Sequence, residues 1–248
     1  MITIKSPSEI EILRVSNKIV AKILSILGQE VKPGINTLKL DRLAEDLTRE
    51  HKARPAFKGY RGYKHTICAS VNNQVVHGIP NEKNLNDGDV LSIDFGVLYE
   101  GYYGDAAITF PVGRVNEKNM RLLKVTEKSL YAGIEQAQCN NRLSDISHAI
   151  QSHVESHGYS VVRKYVGHGI GKALHEEPQI PNYGKPGFGV RLKEGMVLAI
   201  EPMVNMGGHD VITLEDTWTA VTKDGSLSAH FEHTIVVTES GPEILTVN

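Results

Sequence analysis

Residues 90–111 read VLSIDFGVLYEGYYGDAAITFP, two segments rich in β-forming residues on either side of a turn at residues 99–101. This pattern is typical of an antiparallel β-hairpin. Asp94 and Asp105 stand almost symmetrically about the turn. Strand pairing then puts their side chains opposite each other, or one diagonal step apart, on one face. Side chains in such positions lie roughly 4.5–8 Å apart.

The two carboxylates of this hairpin would repel each other, and aspartate is a poor strand former. A shared proton or a divalent cation would offset the repulsion. The alternative is that one aspartate caps the turn while the other faces solvent. The hairpin alone does not decide between these interpretations.

Three further segments carry candidate ligands. Residues 165–178 read YVGHGIGKALHEEP, and the glycines on both sides of His168 would let the backbone approach an ion or a substrate. Glu201 lies in the apolar segment MVLAIEPMV, where the following proline indicates an edge or bulge, and Glu232 lies in AHFEHTIVV. A lone carboxylate in an apolar strand is rarely buried without a partner. Taken singly, each of these residues also fits a structural or solvent-exposed position.

Taken together, the candidates are four carboxylates and one imidazole. Such a donor set suits Mn, Fe(II), Co or Zn better than a thiolate site would. Two divalent ions would balance the four negative charges, whereas one ion would leave the cluster negative. A carboxylate-rich metal pair with a bridging water is a hydrolytic arrangement. The five candidate ligands are Asp94, Asp105, His168, Glu201 and Glu232.

Outward from the hairpin, the apolar spacing repeats an order of helix, helix and strands. It predicts helices over residues 8–27, from residue 36 or 37 through 47, over 117–136, and from about Ser144 to Gly158, with Gly28 ending the first helix. Strands are predicted from 66 to 76 and over 159–166, 196–204 and 230–238. The order predicts an α+β fold with pseudo-repeats of roughly 1–112 and 113–248. No low-complexity tract or Pro/Ser-rich linker interrupts the sequence, which predicts a single domain over 1–248. A pseudo-two-fold relation would place a site between the two halves.

The composition excludes several classes of protein. The 248 residues carry a net charge of −2 and 40% hydrophobic residues. We find no basic stripe for DNA and no polybasic membrane patch. Two cysteines do not form a disulfide framework, and neither a signal peptide nor an apolar run long enough to span a membrane is visible. The sequence therefore predicts a cytoplasmic protein, and we expect a monomer.

The chain resembles the type I methionine aminopeptidases, which have the pita-bread fold, over residues 2–246. The resemblance rests on CASVNNQVVHGIP (68–80), IDFGVLYEGYYGDAA (93–107), YVGHGIGKALHEEP (165–178), IEPM (200–203) and SAHFEHTIVV (228–237). It implies duplicated helix–helix–strand halves around a curved antiparallel sheet. It also implies removal of N-terminal methionine from nascent proteins and peptides with a small second residue, and a transient association with the ribosome.

The resemblance also implies a role for each ligand of two divalent ions. Asp94 would bind one ion, and Asp105 and Glu232 would bridge the pair. His168 and Glu201 would complete the set. A hydroxide bridging the two ions would attack the scissile carbonyl.

Three residues would assist this reaction. Glu201 would shuttle the proton. His175 would stabilise the tetrahedral intermediate or hold the following peptide carbonyl. His77 would contact the scissile nitrogen.

A methionine pocket is implied by the same resemblance. An apolar, aromatic slot suits a thioether. Val76 and Thr217, like two of the pocket residues, depart from the family pattern, which affects the shape of the pocket and not the metal ligands. The pocket would consist of Phe57, Tyr60, Tyr63, Cys68, Leu174 and Trp218, with Cys68 a pocket thiol and not a nucleophile. A monovalent cation is expected near Asn72, Gln74 and Ser228.

Two alternatives share this fold. A proline-directed aminopeptidase or dipeptidase usually carries an additional N-terminal domain, and the motif around His77 fits the methionine group better. A non-catalytic pita-bread binding protein would lose metal ligands, whereas all five are present in this sequence.

Overall fold

The structure is a computed structural model that describes residues 2–247. The four predicted helices are confirmed. Ser6 and Glu9 form a capping box at the start of the first helix, and Asn36 caps the second by accepting the Lys39 N–H at 3.0 Å. The helices are α1 Pro7–Glu30, α2 Thr37–Glu50, α3 Glu117–Glu135 and α4 Leu143–Ser156.

One predicted helix boundary is wrong: α1 does not end at Gly28 but continues to Glu30. Gly28 instead lets the helix pack closely on the sheet, since an added Cβ would lie 2.4 Å from Phe110 Cε1. α4 begins at Leu143, close to the predicted Ser144, and Asp145 caps it by accepting the Arg142 N–H at 2.7 Å.

Short strands make up the rest of the regular structure. In chain order they are β1 Arg54–Pro55, β2 Ile67–Val71, β3 Gln74–Val76, β4 Val90–Tyr99, β5 Tyr102–Pro111, β6 Ser160–Val161, β7 Gly167–Gly169, β8 Glu176–Ile180, β9 Val197–Ile200, β10 Met203–Asn205, β11 Val211–Thr213, β12 Ala220–Thr222, β13 Ser228–His230, β14 His233–Thr238 and β15 Gly241–Ile244.

The hairpin predicted at residues 90–111 is formed by β4 and β5. Glu100 and Gly101 make its two-residue turn, with φ of 46° and 84°, as a turn matched to the twist of the strands requires. Asp105 pairs with Gly96, and Asp94 pairs with Ala107. The two aspartates therefore share one face and stand one diagonal step apart, which confirms one of the two predicted arrangements.

All named strand pairs are antiparallel. β4 lies between β5 on one side and β1 and β2 on the other. The second large sheet has the order β15–β14–β9–β7–β8, and two small sheets have the orders β13–β10–β6 and β11–β12–β3. The hairpin connects to the second half of the chain through a bridge between Ala107 and Glu232.

Helices cover the outer faces of these sheets. α1 and α2 enclose one apolar core with β2, β4 and β5, and α3 and α4 enclose another with the strands of the second half. α1 lies very close to β5, because an added Cβ at Gly104 would lie 2.8 Å from the Ser16 carbonyl carbon. The helices therefore leave the opposite, inner face of the hairpin free to form a site.

The strands predicted over 196–204 and 230–238 are each interrupted. β9 and β10 are separated by Glu201 and Pro202, because Pro202 has no N–H to donate to a ladder. β13 and β14 are separated by Phe231 and Glu232, where the Glu232 N–H donates to Ala107 O at 2.8 Å. Of the predicted strand over 159–166, only Ser160–Val161 forms. Both candidate glutamates therefore lie at gaps between strands.

Within residues 2–247, no helix has the length and apolar character needed to cross a bilayer. Cys68 and Cys139 are both free thiols. The division of the chain into two pseudo-repeats within one domain remains a prediction.

Candidate metal centre

The hairpin presents Asp94 and Asp105 on its inner face, and neighbouring elements fix the backbone of Asp105. Its N–H donates to Asn17 Oδ1 on α1 at 3.3 Å, and its carbonyl accepts the Thr234 hydroxyl of β14 at 2.8 Å. Gly96, opposite Asp105, leaves the space that the carboxylate fills, since an added Cβ would lie 3.1 Å from Asp105 Oδ1. The position of Asp105 is therefore set from three sides.

The second half of the chain adds an imidazole and two further carboxylates. Ligand atoms of Asp105, His168 and Glu232, all buried, lie within 4.8 Å of one another. His168 Nε2 is 3.5 Å from Glu201 Oε1. His168 Nδ1 lies 2.9 Å from Gly169 O, so it carries the proton and leaves the Nε2 lone pair directed at the cluster.

The glycines beside His168 serve a purpose other than the predicted one. An added Cβ at Gly167 would lie 2.4 Å from Ala199 O, and one at Gly169 would lie 2.3 Å from Glu177 O. These glycines make room for the neighbouring strands β8 and β9, not for an ion or a substrate. They bring His168 to the cluster by allowing close packing of the sheet.

The carboxylates fit a bound divalent cation. Within residues 2–247, Asp94 Oδ1, Asp105 Oδ1 and Glu232 Oε1 are buried and have no hydrogen-bond partner. A buried acceptor left without a partner costs about 1–3 kcal/mol. Three such atoms on residues that line one cavity therefore indicate a site for an electropositive group, and oxygen donors with one imidazole suit divalent first-row metals.

The pKa values of these carboxyl groups point in the same direction. Burial raises the pKa of Asp94 to about 7, where nearby His230 opposes the rise and Glu201 adds to it. Burial raises the pKa of Glu201 to about 8. The pKa values of Asp105 and Glu232 are raised well above the ordinary range by burial and by the neighbouring carboxylates. The four groups can all ionise at neutral pH only when positive charge offsets their repulsion.

Two further histidines lie at the edge of the carboxylate cluster. The rings of His175 and His168 are 4.3 Å apart, and the Tyr60 hydroxyl is 2.8 Å from His175 Nδ1. His77 has a φ of 60°, and burial, with His230 and His175, lowers its pKa to about 4. Burial, and then the cation of Arg61, lower the pKa of His175. Both imidazoles are therefore neutral at pH 7.

One cavity contains every predicted catalytic, metal and pocket residue. Tyr63 and Trp218 meet edge to face with ring centroids 4.9 Å apart, which makes an aromatic wall. Burial raises the pKa of Cys68 well above its usual value, so the thiol stays protonated, as expected of a pocket residue. The cavity is lined by Phe57, Tyr60, Arg61, Tyr63, Cys68, His77, Asp94, Asp105, His168, Leu174, His175, Glu201, Trp218 and Glu232.

Sequence reasoning missed two residues at this site. Arg61 lies at the mouth of the cavity with a φ of 48°, and its guanidinium carbon is 5.3 Å from the centre of the Tyr60 ring. His230 is 1% exposed, and its Nε2 is 3.5 Å from Glu201 Oε2. The position of His230 two residues before Glu232 was the available signal, since alternate residues of a strand share a face. No comparable pattern in the sequence marks Arg61.

The positions that depart from the family pattern have distinct surroundings. Thr217 stands where the pattern has glycine, and its φ is 67°, a left-handed conformation that is strained for a β-branched residue. Val76 is buried in β3. The region expected to hold a monovalent cation is compact: the Ser228 N–H donates to Asn72 O at 3.0 Å, and Gln74 Oε1 accepts the Val71 N–H at 2.9 Å. The cation itself remains a prediction.

Comparison with known proteins places these features in a family. The sequence profile of metallopeptidase family M24 (Peptidase_M24) matches residues 11–239. The chain is 54% identical over 246 residues to methionine aminopeptidase 1 of Bacillus subtilis, with 99% of each chain covered. It is 53% identical over 248 residues to a methionine aminopeptidase of Clostridium acetobutylicum, covering 100% of this chain and 99% of the relative.

Solved structures agree with the sequence comparisons. The crystal structure of methionine aminopeptidase from Thermotoga maritima matches this structure with a TM-score of 0.99 at 50% identity, and the match covers 100% of both chains. This similarity confirms the predicted pita-bread fold. The chain therefore belongs to metallopeptidase family M24.

Proposed function

We propose that this protein is a methionine aminopeptidase, a metal-dependent hydrolase that removes the N-terminal methionine from nascent proteins and peptides and prefers a small second residue. One observation carries the proposal: buried ligand atoms of Asp105, His168 and Glu232 lie within 4.8 Å of one another beside an apolar, aromatic cavity. The names of the relatives, which are about half identical over the whole chain, support the choice of methionine over proline-directed cleavage.

Five side chains would hold two divalent ions per chain, of Co, Mn, Fe(II) or Zn. Asp105 and Glu232, one from each half, would bridge the ions, and Asp94 would bind one of them. His168 and Glu201 would complete the set. Bound at this site, such ions lower the pKa of a water molecule and polarise a carbonyl group.

Glu201 is the residue that moves protons in this proposal. Without metal, burial raises the pKa of Glu201 to about 8. Bound cations would lower this pKa, so that the carboxylate could accept a proton at neutral pH. Glu201 would take a proton from the attacking water and deliver it to the leaving amine. Its carboxylate lines the same cavity as the methionine pocket, so the transfer needs no large movement.

His175 and His77 act on the peptide as neutral hydrogen-bonding groups. The Tyr60 hydroxyl lies 2.8 Å from His175 Nδ1 and would donate to it, so that the proton of the neutral ring would be on Nε2. That N–H would stabilise the oxyanion as it forms or hold the next peptide carbonyl. His77, on the opposite side near Trp218, would contact the scissile nitrogen.

Peptide hydrolysis tests the proposal directly. Metal-stripped protein is loaded with Co(II) or Mn(II) and given Met-Ala-Ser, Met-Leu-Ser, Met-Lys-Ser, Leu-Ala-Ser, N-acetyl-Met-Ala-Ser and Ala-Pro. We expect rapid release of methionine from Met-Ala-Ser, slower release when leucine or lysine is second, and no release from the acetylated peptide. A matched Glu201→Gln variant should be inactive.

Two outcomes would contradict this function. Folded, metal-loaded protein that releases no methionine from any of the peptides would favour a binding protein. Preferential cleavage of Ala-Pro would favour the proline-directed alternative.

In the cell we propose that the enzyme acts in the cytoplasm as a monomer on nascent chains, with a transient association with the ribosome. Cosedimentation of the purified protein with translating ribosomes checks the association, and light scattering checks the oligomeric state. Loss of binding to ribosomes at all salt concentrations would remove that part of the proposal.

A further inference from the structure

His230, the last residue of β13, has a buried nitrogen that the proposed reaction does not use. The side chain is 2% exposed, and its Nε2 has no hydrogen-bond partner within residues 2–247. That atom lies 3.5 Å from Glu201 Oε2. Leaving a buried polar group without a partner costs about 1–3 kcal/mol. Because of this cost, we expect the nitrogen to have a hydrogen-bond partner in another state of the enzyme.

The backbone of His230 is held in place by the hairpin. Its N–H donates to Thr109 Oγ1 at 2.9 Å, and its carbonyl accepts the Thr109 hydroxyl at 2.8 Å. Thr109 in turn lies 2.8 Å from the Ser92 hydroxyl on β4. On its other side, His230 pairs with Met203 of β10. The imidazole therefore projects toward Glu201 from a backbone that is fixed on both sides.

The two oxygens of Glu201 have different imidazole neighbours. Oε1 lies 3.5 Å from Nε2 of the candidate ligand His168, whereas Oε2 lies 3.5 Å from Nε2 of His230. His230 does not line the cavity that contains the five candidate ligands. It therefore contacts Glu201 from behind the residues that line this cavity.

We propose that His230 is a positioning residue for Glu201, whose Oε2 accepts a hydrogen bond from the His230 Nε2–H. This contact holds Oε1 toward the metal pair and the substrate, and the inference rests on the proposed function. The present separation of 3.5 Å is long for a hydrogen bond. Catalytic hydrogen bonds are often long in the ligand-free protein and tighten when the complex forms, so we expect the contact to shorten on loading.

Two substitutions of His230 distinguish the loss of its hydrogen-bond donor from a change in the packing of its side chain. His230→Gln keeps an N–H donor, whereas His230→Met keeps a similar volume without one. Turnover of Met-Ala-Ser, Mn(II) binding by calorimetry and thermal unfolding are measured for both. We expect His230→Met to lower kcat and the Mn(II) affinity by about 10- to 100-fold with little change in KM, and His230→Gln to restore most of both. The unfolding temperatures of the two variants should be similar.

His153 provides a matched control. It lies on α4, outside the cavity, and its Nε2 is also buried without a hydrogen-bond partner within residues 2–247. His153→Gln and His153→Met should leave kcat, KM and Mn(II) affinity unchanged. A double substitution adds a test of coupling: in a Glu201→Gln background, His230→Met should cause no further loss of Mn(II) affinity.

Several outcomes would overturn the inference. Equal kcat and Mn(II) affinity in His230→Met and His230→Gln would remove the role of the donor. A fall in Mn(II) stoichiometry in both variants would make His230 a ligand. If His230→Met does not fold, Thr109→Val, which removes both hydrogen bonds to the His230 backbone, should lower kcat at unchanged KM, and an unchanged kcat would contradict the proposal. If no variant and no unmodified protein releases methionine, the proposed function fails, while the Mn(II) affinities still test the contact.

Discussion

The hairpin and the second half of the chain bring carboxylates to the same centre by different means. β4 and β5 form an unbroken ladder of ten residue pairs, and the register alone places Asp94 and Asp105 on one face. In the second half, Glu201 and Glu232 lie at gaps between strands. A continuous ladder fixes short side chains in place, whereas a gap frees backbone groups that can then bond elsewhere.

Groups at and around the Glu232 gap join the two halves. The Glu232 N–H bonds to Ala107 O at 2.8 Å, and the nearby Thr234 hydroxyl bonds to Asp105 O at 2.8 Å. The Thr109 hydroxyl of the hairpin donates to the His230 carbonyl and accepts the His230 N–H. Each region therefore fixes ligands of the other, and the site depends on both.

The largest expected effect comes from removing one bridging carboxylate from each region. Asp105→Asn and Glu232→Gln each keep the size of the side chain but remove a charge that would offset two cations. We predict that each variant loses the second metal ion and that hydrolysis of Met-Ala-Ser falls by at least about 100-fold. Metal analysis and steady-state kinetics check both changes.

Equal losses of metal and of hydrolysis in the two variants would mean that the hairpin and the second half contribute equally to metal binding. Near-normal turnover in Asp105→Asn would count against a two-metal site. A large loss in one variant only would mean that a single region holds the essential ion.

The same comparison explains what the sequence could predict. The hairpin and the diagonal placement of its aspartates follow from alternating residues and a short turn, both of which are local. The edge or bulge at Glu201 could be predicted from Pro202, which has no N–H to donate to a strand. The gap at Glu232 could not, because the apolar pattern continues across it and the Glu232 N–H bonds to Ala107 in the other half. His230 was missed because its partners, Thr109 and Glu201, are far away in sequence.

The second prediction concerns the metal-free protein and its dependence on pH. Asp94 and Glu201 have ordinary pKa values of 3.8 and 4.5, raised in the folded protein to about 7 and about 8. At a pH between the ordinary and the raised pKa of each group, the folded state holds a proton that the unfolded state has lost. The free energy of unfolding must therefore fall as pH rises. Buried histidines with lowered pKa values, such as His77, oppose this fall below their ordinary pKa of 6.5. We therefore expect the metal-free protein to lose stability from about pH 7 to beyond pH 8, because Asp105 and Glu232 also have raised pKa values.

Metal should reverse this dependence, because the ions bind the deprotonated carboxylates. Thermal unfolding of stripped and Mn(II)-loaded protein across this range checks the prediction. If the metal-free protein becomes more stable toward pH 8, the four carboxyl groups are not crowded as the structure places them.

A third prediction contrasts a glycine from each region. In Gly96→Ala the new Cβ would press on Asp105 Oδ1 and on Gly104 O, whereas in Gly133→Ala, on α3, it would press on Ile150 Cγ1. We expect both variants to lose about 1–3 kcal/mol of stability, but only Gly96→Ala to lose metal affinity beyond that explained by unfolding. Denaturant titration and calorimetry distinguish the two effects. Equal metal affinity in the two variants would mean that the ladder does not set the position of Asp105.

The smallest expected effect concerns the turns. The hairpin has a glycine at the second left-handed position of its turn, Gly101, whereas the loop before Trp218 has Thr217 at a φ of 67°. Thr217→Gly should therefore stabilise the protein by about 1 kcal/mol. Thr213→Gly, in the extended strand β11, should destabilise it instead. If Thr217→Gly does not stabilise the protein, the left-handed backbone conformation at Thr217 does not carry the strain that we infer.

The most direct test of a metal pair shared by the two regions is anomalous scattering from crystals grown with Mn(II). We predict two peaks about 3.5–4 Å apart, in contact with Asp94, Asp105, His168, Glu201 and Glu232. A single peak, or peaks in contact with only the hairpin or only the second half, would contradict the account.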